Sequence, residues 1–229
     1  MNQLILPYQK NIKKKFDSFF CDNEKNDQIV ENIKNIFDNQ NNQIYIWGDK
    51  SFGKSHLLYA ACNYFGEKNK KCVYLPLSEN KKFEPDILDG FDNYDLVCID
   101  NIDLIFQKED WEYSFFVLIN KTLDKSKKII FTSSSSLALN NINLKDFHSR
   151  LSSSLIFMIN SPNDTTKENI LKRVILEKEY NINVDICEYL LKRKDRDIDS
   201  LLKIIDKIGN YSLSTNKKIG KNNLGLVIN

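Results

Sequence analysis

The chain has 229 residues, 41% of them hydrophobic, which is enough for one large α/β domain and a small second domain. Its 33 Lys and Arg residues nearly balance 31 Asp and Glu residues, so the net charge of +2 indicates neither nucleic-acid nor membrane binding. No segment approaches the roughly 20 apolar residues of a membrane span, and the N-terminal segment, with its apolar residues before its lysines, is the reverse of a secretory signal. The five scattered cysteines never form a C-x-x-C pair, which favours reduced thiols and a cytoplasmic protein.

The first 15 residues consist of an apolar pentapeptide and a basic stretch, and they predict a mobile tail. Globular structure is expected from Phe16 onward. Asp27 is the expected N-cap of a first helix, because the following residues place four apolar side chains on one helical face: Ile29, Ile33, Ile36 and Phe37.

An apolar run over residues 43–47 predicts a buried strand, and residues 55–62 predict a helix. Between them lies a complete G-x-x-x-x-G-K-S pattern, formed by Gly48, Asp49, Lys50, Ser51, Phe52, Gly53, Lys54 and Ser55. In such a phosphate loop the glycines let backbone N–H groups converge on phosphates, the lysine reaches the outer phosphates and the serine hydroxyl binds Mg²⁺. The flanking strand and helix argue against a turn that fits the pattern by chance. We therefore expect a site for a nucleoside diphosphate or triphosphate.

Further apolar runs predict strands over residues 71–75, 96–100, 129–132 and 155–159, with a helix over residues 111–123. This alternation predicts a parallel sheet flanked by helices. Beyond Pro162 the pattern becomes helical, and Thr165 and Glu168 have the spacing of a capping box. Two more helices are expected over residues 185–194 and 197–209.

Asp100 ends a strand that is otherwise apolar. A carboxylate at this end of a strand, beside a phosphate loop, is typical of a Mg²⁺ ligand, although acids at strand ends also cap neighbouring loops. The next residue, Asn101, cannot accept a proton, so we expect weak intrinsic ATP hydrolysis with Asp103 as a partial substitute. The serine run over residues 133–136 is interpreted as a loop.

Five segments of the chain resemble one family of ATPases. They are residues 48–63, Asp100-Asn101-Ile102, Trp111-Glu112, Phe147-His148-Ser149-Arg150-Leu151 and Leu190-Leu191-Lys192-Arg193-Lys194-Asp195-Arg196. From about Phe16 onward the chain is similar to the AAA+ domain of the bacterial replication initiator DnaA, and more closely to its regulatory homologues, the Hda family. The resemblance implies a tail over residues 1–15, an α/β P-loop ATPase domain over residues 16–161 and a small helical lid over residues 162–229.

The same resemblance implies roles for single residues. Arg150 stands at the family's arginine finger, a cation that one subunit presents to the nucleotide of its neighbour; without the family context it is equally a solvated surface cation. His56 and Arg196 are expected to help bind ADP or ATP, with Mg²⁺ held by Ser55 and Asp100.

Two features of the resemblance bear on nucleotide and partner. Asp199 stands where the family usually has a lid arginine, which leaves Arg196 as the nearest cation and leaves the ADP or ATP preference open. Few residues follow the lid helices, so we expect no helix-turn-helix and no sequence-specific DNA binding.

The N-terminal sequence Gln-Leu-Ile-Leu-Pro is similar to the pentapeptide by which replication proteins, Hda among them, dock on the sliding clamp, the β subunit of DNA polymerase III. The residues implied in docking are Gln3, Leu4, Leu6 and Pro7. An extended peptide with two apolar anchors and one amide suits a preformed groove. The alternative is that Leu4 and Leu6 pack back onto the core.

The favoured hypothesis is a clamp-tethered regulator that presents Arg150 to ATP-bound DnaA and promotes hydrolysis there, which inactivates the initiator. Its own nucleotide would then be a structural ligand, and self-association into a homo-oligomer stays open. One alternative is an autonomous AAA+ motor or helicase loader, against which Asn101 and Asp199 argue. Another is a P-loop kinase, for which the C-terminal segment offers no clear arginine-rich flap.

Overall fold

The computed structural model describes residues 14–19, 24–192 and 197–225, without the side chains of residues 80–82 and 223. The expected clamp-binding residues therefore lie outside the described part of the chain. The described residues divide into two compact units, of which the first ends at Asn160 and the second begins at Ser161. None of the described helices is long and apolar enough to cross a membrane.

Among the described residues of the first unit, five strands form one sheet. They are β1 (Gln43–Trp47), β2 (Cys72–Pro76), β3 (Leu96–Asp100), β4 (Lys128–Ser133) and β5 (Leu155–Met158). Their spatial order is β2-β3-β4-β1-β5, and every neighbouring pair is parallel, which confirms the predicted parallel sheet. The loops after β1, β3 and β4 therefore reach one edge of the sheet, where ligands of open α/β sheets bind.

Four α-helices accompany these strands in the described part of the first unit. They are α1 (Glu24–Lys34), α2 (Lys54–Glu67), α3 (Glu109–Asp124) and α4 (Lys145–Ser152). Helix α1 precedes β1, and the other three lie between strands in the chain. The predicted N-cap of α1 is wrong, because the helix already includes Glu24 and Asp27 lies in its first turn. An acid in that turn faces the positive end of the helix dipole. Phe37 lies beyond the end of α1, where its ring packs against Phe65 with 4.8 Å between the ring centroids.

The last two residues of the predicted tail, Lys14 and Lys15, contact the first unit. The carbonyl oxygen of Lys14 accepts a hydrogen bond from Asn63 Nδ2 at 2.8 Å. The carbonyl oxygen of Lys15 lies 3.0 Å from His56 Nε2, and Phe16 is buried with its ring against Tyr64. Among the described residues, contacts of the N-terminal segment with the rest of the first unit therefore include Lys14.

The core of the first unit fixes α4 against α3. Strand β3 is buried at every position, as expected for a strand covered on both faces of a parallel sheet. Phe115 of α3 and Phe147 of α4 are fully buried, and their rings stack with 6.3 Å between centroids. Cys62 and Cys98 are buried, which agrees with the prediction that these cysteines lie in the core.

The second unit is built of α5 (Asp164–Glu177), α6 (Asp185–Leu191) and α7 (Ile198–Thr215). The predicted capping box at Thr165 is wrong, because Asn163 is the N-cap of α5 and its side chain accepts a hydrogen bond from the Thr166 N–H at 2.8 Å. Asp197 caps α7 by accepting from the Ser200 N–H at 3.0 Å. Helix α6 ends before its predicted end, and α7 continues beyond its own.

Two helical glycines predict opposite effects of the same substitution. In α7, a Cβ on Gly209 would lie 2.2 Å from Cδ2 of Tyr180, whose hydroxyl is held by Asp206 Oδ1 at 3.1 Å. In α2, a Cβ on Gly66 would meet no atom within 4 Å. We expect Gly209→Ala to lower the free energy of unfolding by about 1–3 kcal/mol through overpacking. We expect Gly66→Ala to raise it by about 0.5–1 kcal/mol through helix propensity. Urea denaturation measures both changes, and shifts of the same sign would contradict this packing.

Candidate functional site

The loop between β1 and α2 is shaped by glycine at both ends. The φ angle of Gly53 is +94°, and a Cβ there would lie 2.7 Å from the Phe19 ring, so no other residue fits without strain. At the other end, the Gly48 N–H donates to the Ser133 carbonyl at 3.3 Å. Between them, the Ser51 hydroxyl is buried and has no hydrogen-bond partner among the described residues. A buried hydroxyl left open inside such a loop fits a bound phosphate.

Lys54 points into this loop. The residue is only 6% exposed, and its ammonium donates to the carbonyl oxygens of Gly48 at 2.6 Å and Asp49 at 2.7 Å. Burial lowers the pKa of Lys54, and the charges of Asp100 and Asp103 act in the opposite direction. A phosphate bound here would supply the negative charge that this buried ammonium needs.

Asp100, at the end of β3, is 2% exposed and accepts hydrogen bonds from hydroxyls on three elements. Ser55 Oγ and the Tyr74 hydroxyl donate to Oδ2 at 2.6 and 2.7 Å, and Thr132 Oγ1 donates to Oδ1. The structure thus brings together the two residues expected to hold Mg²⁺, Ser55 and Asp100. A hydroxyl and a carboxylate are the oxygen ligands that Mg²⁺ prefers, and phosphates and waters commonly complete its coordination.

Sequence reasoning missed Tyr74 and Thr132. Burial and the Asp100 charge raise the pKa of Tyr74, so the phenol keeps its proton and acts as a donor. The ring of Tyr59 lies 4.2 Å from the Tyr74 ring and helps to fix it. In the sequence, each of these two residues is visible only as a polar group in a strand that is otherwise apolar. That pattern does not indicate which residue the polar group will contact.

The carboxylate of Asp103 lies beside the end of β4, although the residue directly after Asp100 is the amide Asn101. Asn101 has a left-handed backbone, with φ of 60°, and its N–H donates to Thr132 Oγ1 at 3.0 Å. Asp103 Oδ1 accepts from the Ser134 N–H at 3.2 Å, and its Oδ2 accepts from the Ser134 hydroxyl. Ser133 still belongs to β4, so the predicted serine loop begins one residue later. Asp103 is therefore held beside the site, where its charge acts on Lys54.

Arg150 lies in the last turn of α4 and is exposed. Phe147 and Leu151, three residues before it and one after it, are fully buried. Among the described residues no carboxylate forms an ion pair with Arg150. A cation on an anchored helix with no such partner can serve a ligand or a second protein.

Two family models together match most of the chain. Residues 10–159 match the family model of the bacterial DnaA ATPase domain. The chain belongs to the bacterial DnaA ATPase family. Residues 164–221 match the lid domain of Hda. Together the two matches identify an Hda-type, DnaA-homologous member of this group of replication regulators, and they confirm the family that the motifs indicated.

Solved structures of DnaA and its relatives share the fold. Domain III of Thermotoga maritima DnaA matches with a TM-score of 0.80 and 18% identity, over 95% of this chain and 96% of that chain. AMPPCP-bound DnaA from Aquifex aeolicus matches with a TM-score of 0.69 and 23% identity, over 91% and 69%. Thermotoga maritima RuvB matches with a TM-score of 0.68 and 11% identity, over 93% and 70%. These likenesses confirm the predicted AAA+ fold.

The other expected site residues are placed as follows. His56 Nε2 lies 3.1 Å from Ser18 Oγ, and the His56 ring lies 5.9 Å from the Phe19 ring, so this DnaA-family chain uses His56 to contact its N-terminal segment. Asp199 lies in the first turn of α7. In the phosphate loop, Asp49 and Lys50 are exposed and Phe52 is half-buried. Outside the described residues lie Arg196, Gln3, Leu4, Leu6 and Pro7.

Proposed function

We propose that this chain is a regulator of replication initiation that promotes hydrolysis of the ATP held by DnaA and so inactivates the initiator. The observation that carries the proposal is Arg150, an exposed arginine on a helix that Phe147 and Leu151 anchor in the core. A guanidinium presented by one protein stabilises the charge that develops on the γ-phosphoryl group of another. DnaA is the proposed partner because a DnaA-type ATPase domain is followed here by an Hda-type lid. The same contact would allow a homo-oligomer.

In this proposal the chain also binds ADP or ATP itself. Lys54 and the loop from Gly48 to Ser55 would hold the phosphates, and Ser55 and Asp100 would hold Mg²⁺. The buried, open hydroxyl of Ser51 supports this assignment, as does the AMPPCP bound to the Aquifex aeolicus relative. Because a ligand of the folded state alone raises the free energy of unfolding, the nucleotide would act as a structural ligand.

We expect the isolated protein to hydrolyse ATP barely or not at all, because the amide of Asn101 cannot accept a proton from water. The competing function, an autonomous motor or helicase loader, is favoured by the Asp103 carboxylate held beside the site by Ser134. Turnover by the pure protein, measured with Lys54→Ala and Asp103→Asn variants, separates the two functions. Robust turnover that both substitutions abolish would establish the motor and contradict our expectation.

We further propose that Gln3, Leu4, Leu6 and Pro7 dock on the sliding clamp, on the support of the sequence motif. Tethering would raise the local concentration of the regulator beside replicating DNA. A Gln3→Ala, Leu4→Ala, Leu6→Ala variant is expected to lose about 2–4 kcal/mol of clamp binding, while it folds and binds nucleotide as the wild type does. Co-purification with the clamp measures this loss, with a Lys10→Ala variant as the control. A triple variant that still binds the clamp and inactivates DnaA would refute the tether.

A further inference from the structure

Glu112 of α3 is a fully buried carboxylate that backbone N–H groups satisfy. Its Oε1 accepts from the Gln107 N–H at 2.7 Å and from the Asn143 N–H at 3.2 Å. Its Oε2 accepts from the Leu144 N–H at 2.8 Å. Among the described residues it has no ion-pair partner. Burying a carboxylate is costly unless hydrogen-bond donors surround it. These three bonds therefore hold two segments against Glu112, one at Gln107 and one at Asn143 and Leu144.

The two segments are the starts of two helices. Gln107 immediately precedes the N-cap of α3, and Leu144 is the N-cap of α4. Neither N-cap has a side-chain hydrogen bond of its own. In a capping box, a Glu in the first turn of the helix accepts the N–H of the N-cap residue. Glu112 does the same for α4, but from the neighbouring helix, and thereby ties the start of α4 to the start of α3.

This tie bears on Arg150. With eight residues, α4 is about 12 Å long. Phe147 and Leu151, four residues apart, anchor one face of α4, and Glu112 fixes the segment that enters the helix through Asn143 and Leu144. Without Glu112 the segment that enters α4 loses its hydrogen bonds to α3, so the helix can tilt about the buried pair, and the exposed arginine tilts with it.

We infer that Glu112 is the positioning residue for Arg150: its carboxylate fixes the direction of α4, from which the guanidinium reaches the nucleotide of DnaA. The inference rests on the proposed function. A displacement of about 1 Å at a reacting group can cost about 10²-fold in rate, so a tilt of α4 too small to disturb folding would still be measurable.

The test is single-turnover hydrolysis of ATP preloaded on DnaA, as a function of the concentration of this protein and with the loaded clamp present. Glu112→Gln keeps the shape and one carbonyl acceptor. It is expected to lower the saturating rate by about 10-fold or more, with the half-saturating concentration unchanged. The ADP-induced shift of the melting temperature should also stay at the wild-type value, because the phosphate loop is untouched. Glu109→Gln, an exposed acid in the first turn of α3, is the matched control and should leave the rate unchanged.

A loss of stability alone is controlled by Gly209→Ala, which is destabilised in the other unit and should keep the full saturating rate. A wild type that stimulates DnaA together with an equally active Glu112→Gln would overturn the inference alone. A fall in Glu112→Gln that Gly209→Ala matches would also overturn it, because instability would then suffice. A wild type that fails to stimulate DnaA would overturn the proposed function and the inference with it.

Discussion

Replacing Arg150 with alanine is expected to reduce the stimulation of DnaA-bound ATP hydrolysis by about 10³-fold, the scale typical of an arginine finger. Folding and nucleotide binding should stay nearly intact, because the side chain is exposed and forms no ion pair with any described residue. The rate at which ATP preloaded on DnaA becomes ADP measures the effect, and a melting scan checks the fold.

The matched control for that prediction is Lys145→Ala. Lys145 is an exposed cation on the same helix, so its loss changes the charge of α4 by the same amount. A general electrostatic attraction between the two proteins would make both variants weak by similar factors. Equal defects, or an Arg150→Ala variant with full stimulation, would remove the finger assignment.

Replacing Lys54 with alanine is expected to abolish the stabilisation of this protein by its own nucleotide. At an ADP concentration about 100 times the Kd, a wild type with one site gains about 2.7 kcal/mol of unfolding free energy, and the variant should gain close to none. Lys50→Ala is the control, because Lys50 lies in the same loop but is exposed. Melting scans with Mg²⁺ and ADP measure both. An equal shift in Lys54→Ala would show that nucleotide does not bind through this loop.

The loop between β1 and α2 could be predicted from the sequence because its signals are local. The glycines, Lys54 and Ser55 lie within eight residues, and the strand and helix on either side follow from short hydrophobic patterns. The position of Asp100 at the end of a buried strand could be predicted for the same reason. The parallel sheet followed from the alternation of such runs with helices.

The partners of these residues could not be predicted, because they depend on which strands become neighbours. Tyr74 meets Asp100 since β2 pairs with β3, and Thr132 meets it since β4 pairs with β3 on the other side. Asp103 and Ser134 are 31 residues apart in the chain. The ends of helices could not be predicted for another reason. At α5 the N-cap is Asn163 and not Thr165, and several polar residues near the start of a helix are suited to cap it.

The role of Glu112 could not be predicted from the sequence, because it depends both on which segments become neighbours and on where a helix begins. In the sequence it is one acid among three in the first turn of α3, a place where acids are common on exposed surfaces. Its burial depends on the return of the chain some 31 residues later, at Asn143. The sequence marks Glu112 only as part of the Trp111-Glu112 resemblance, and its burial is seen in the three-dimensional structure.

The most direct test of the proposed function is the conversion of DnaA-bound ATP to ADP, measured on clamp-loaded DNA with and without this protein. The proposal predicts a marked acceleration when this protein is present. Acceleration should disappear with Arg150→Ala and with the triple variant of the tail, but not with Lys145→Ala. Equal rates of conversion with and without the wild-type protein would contradict it.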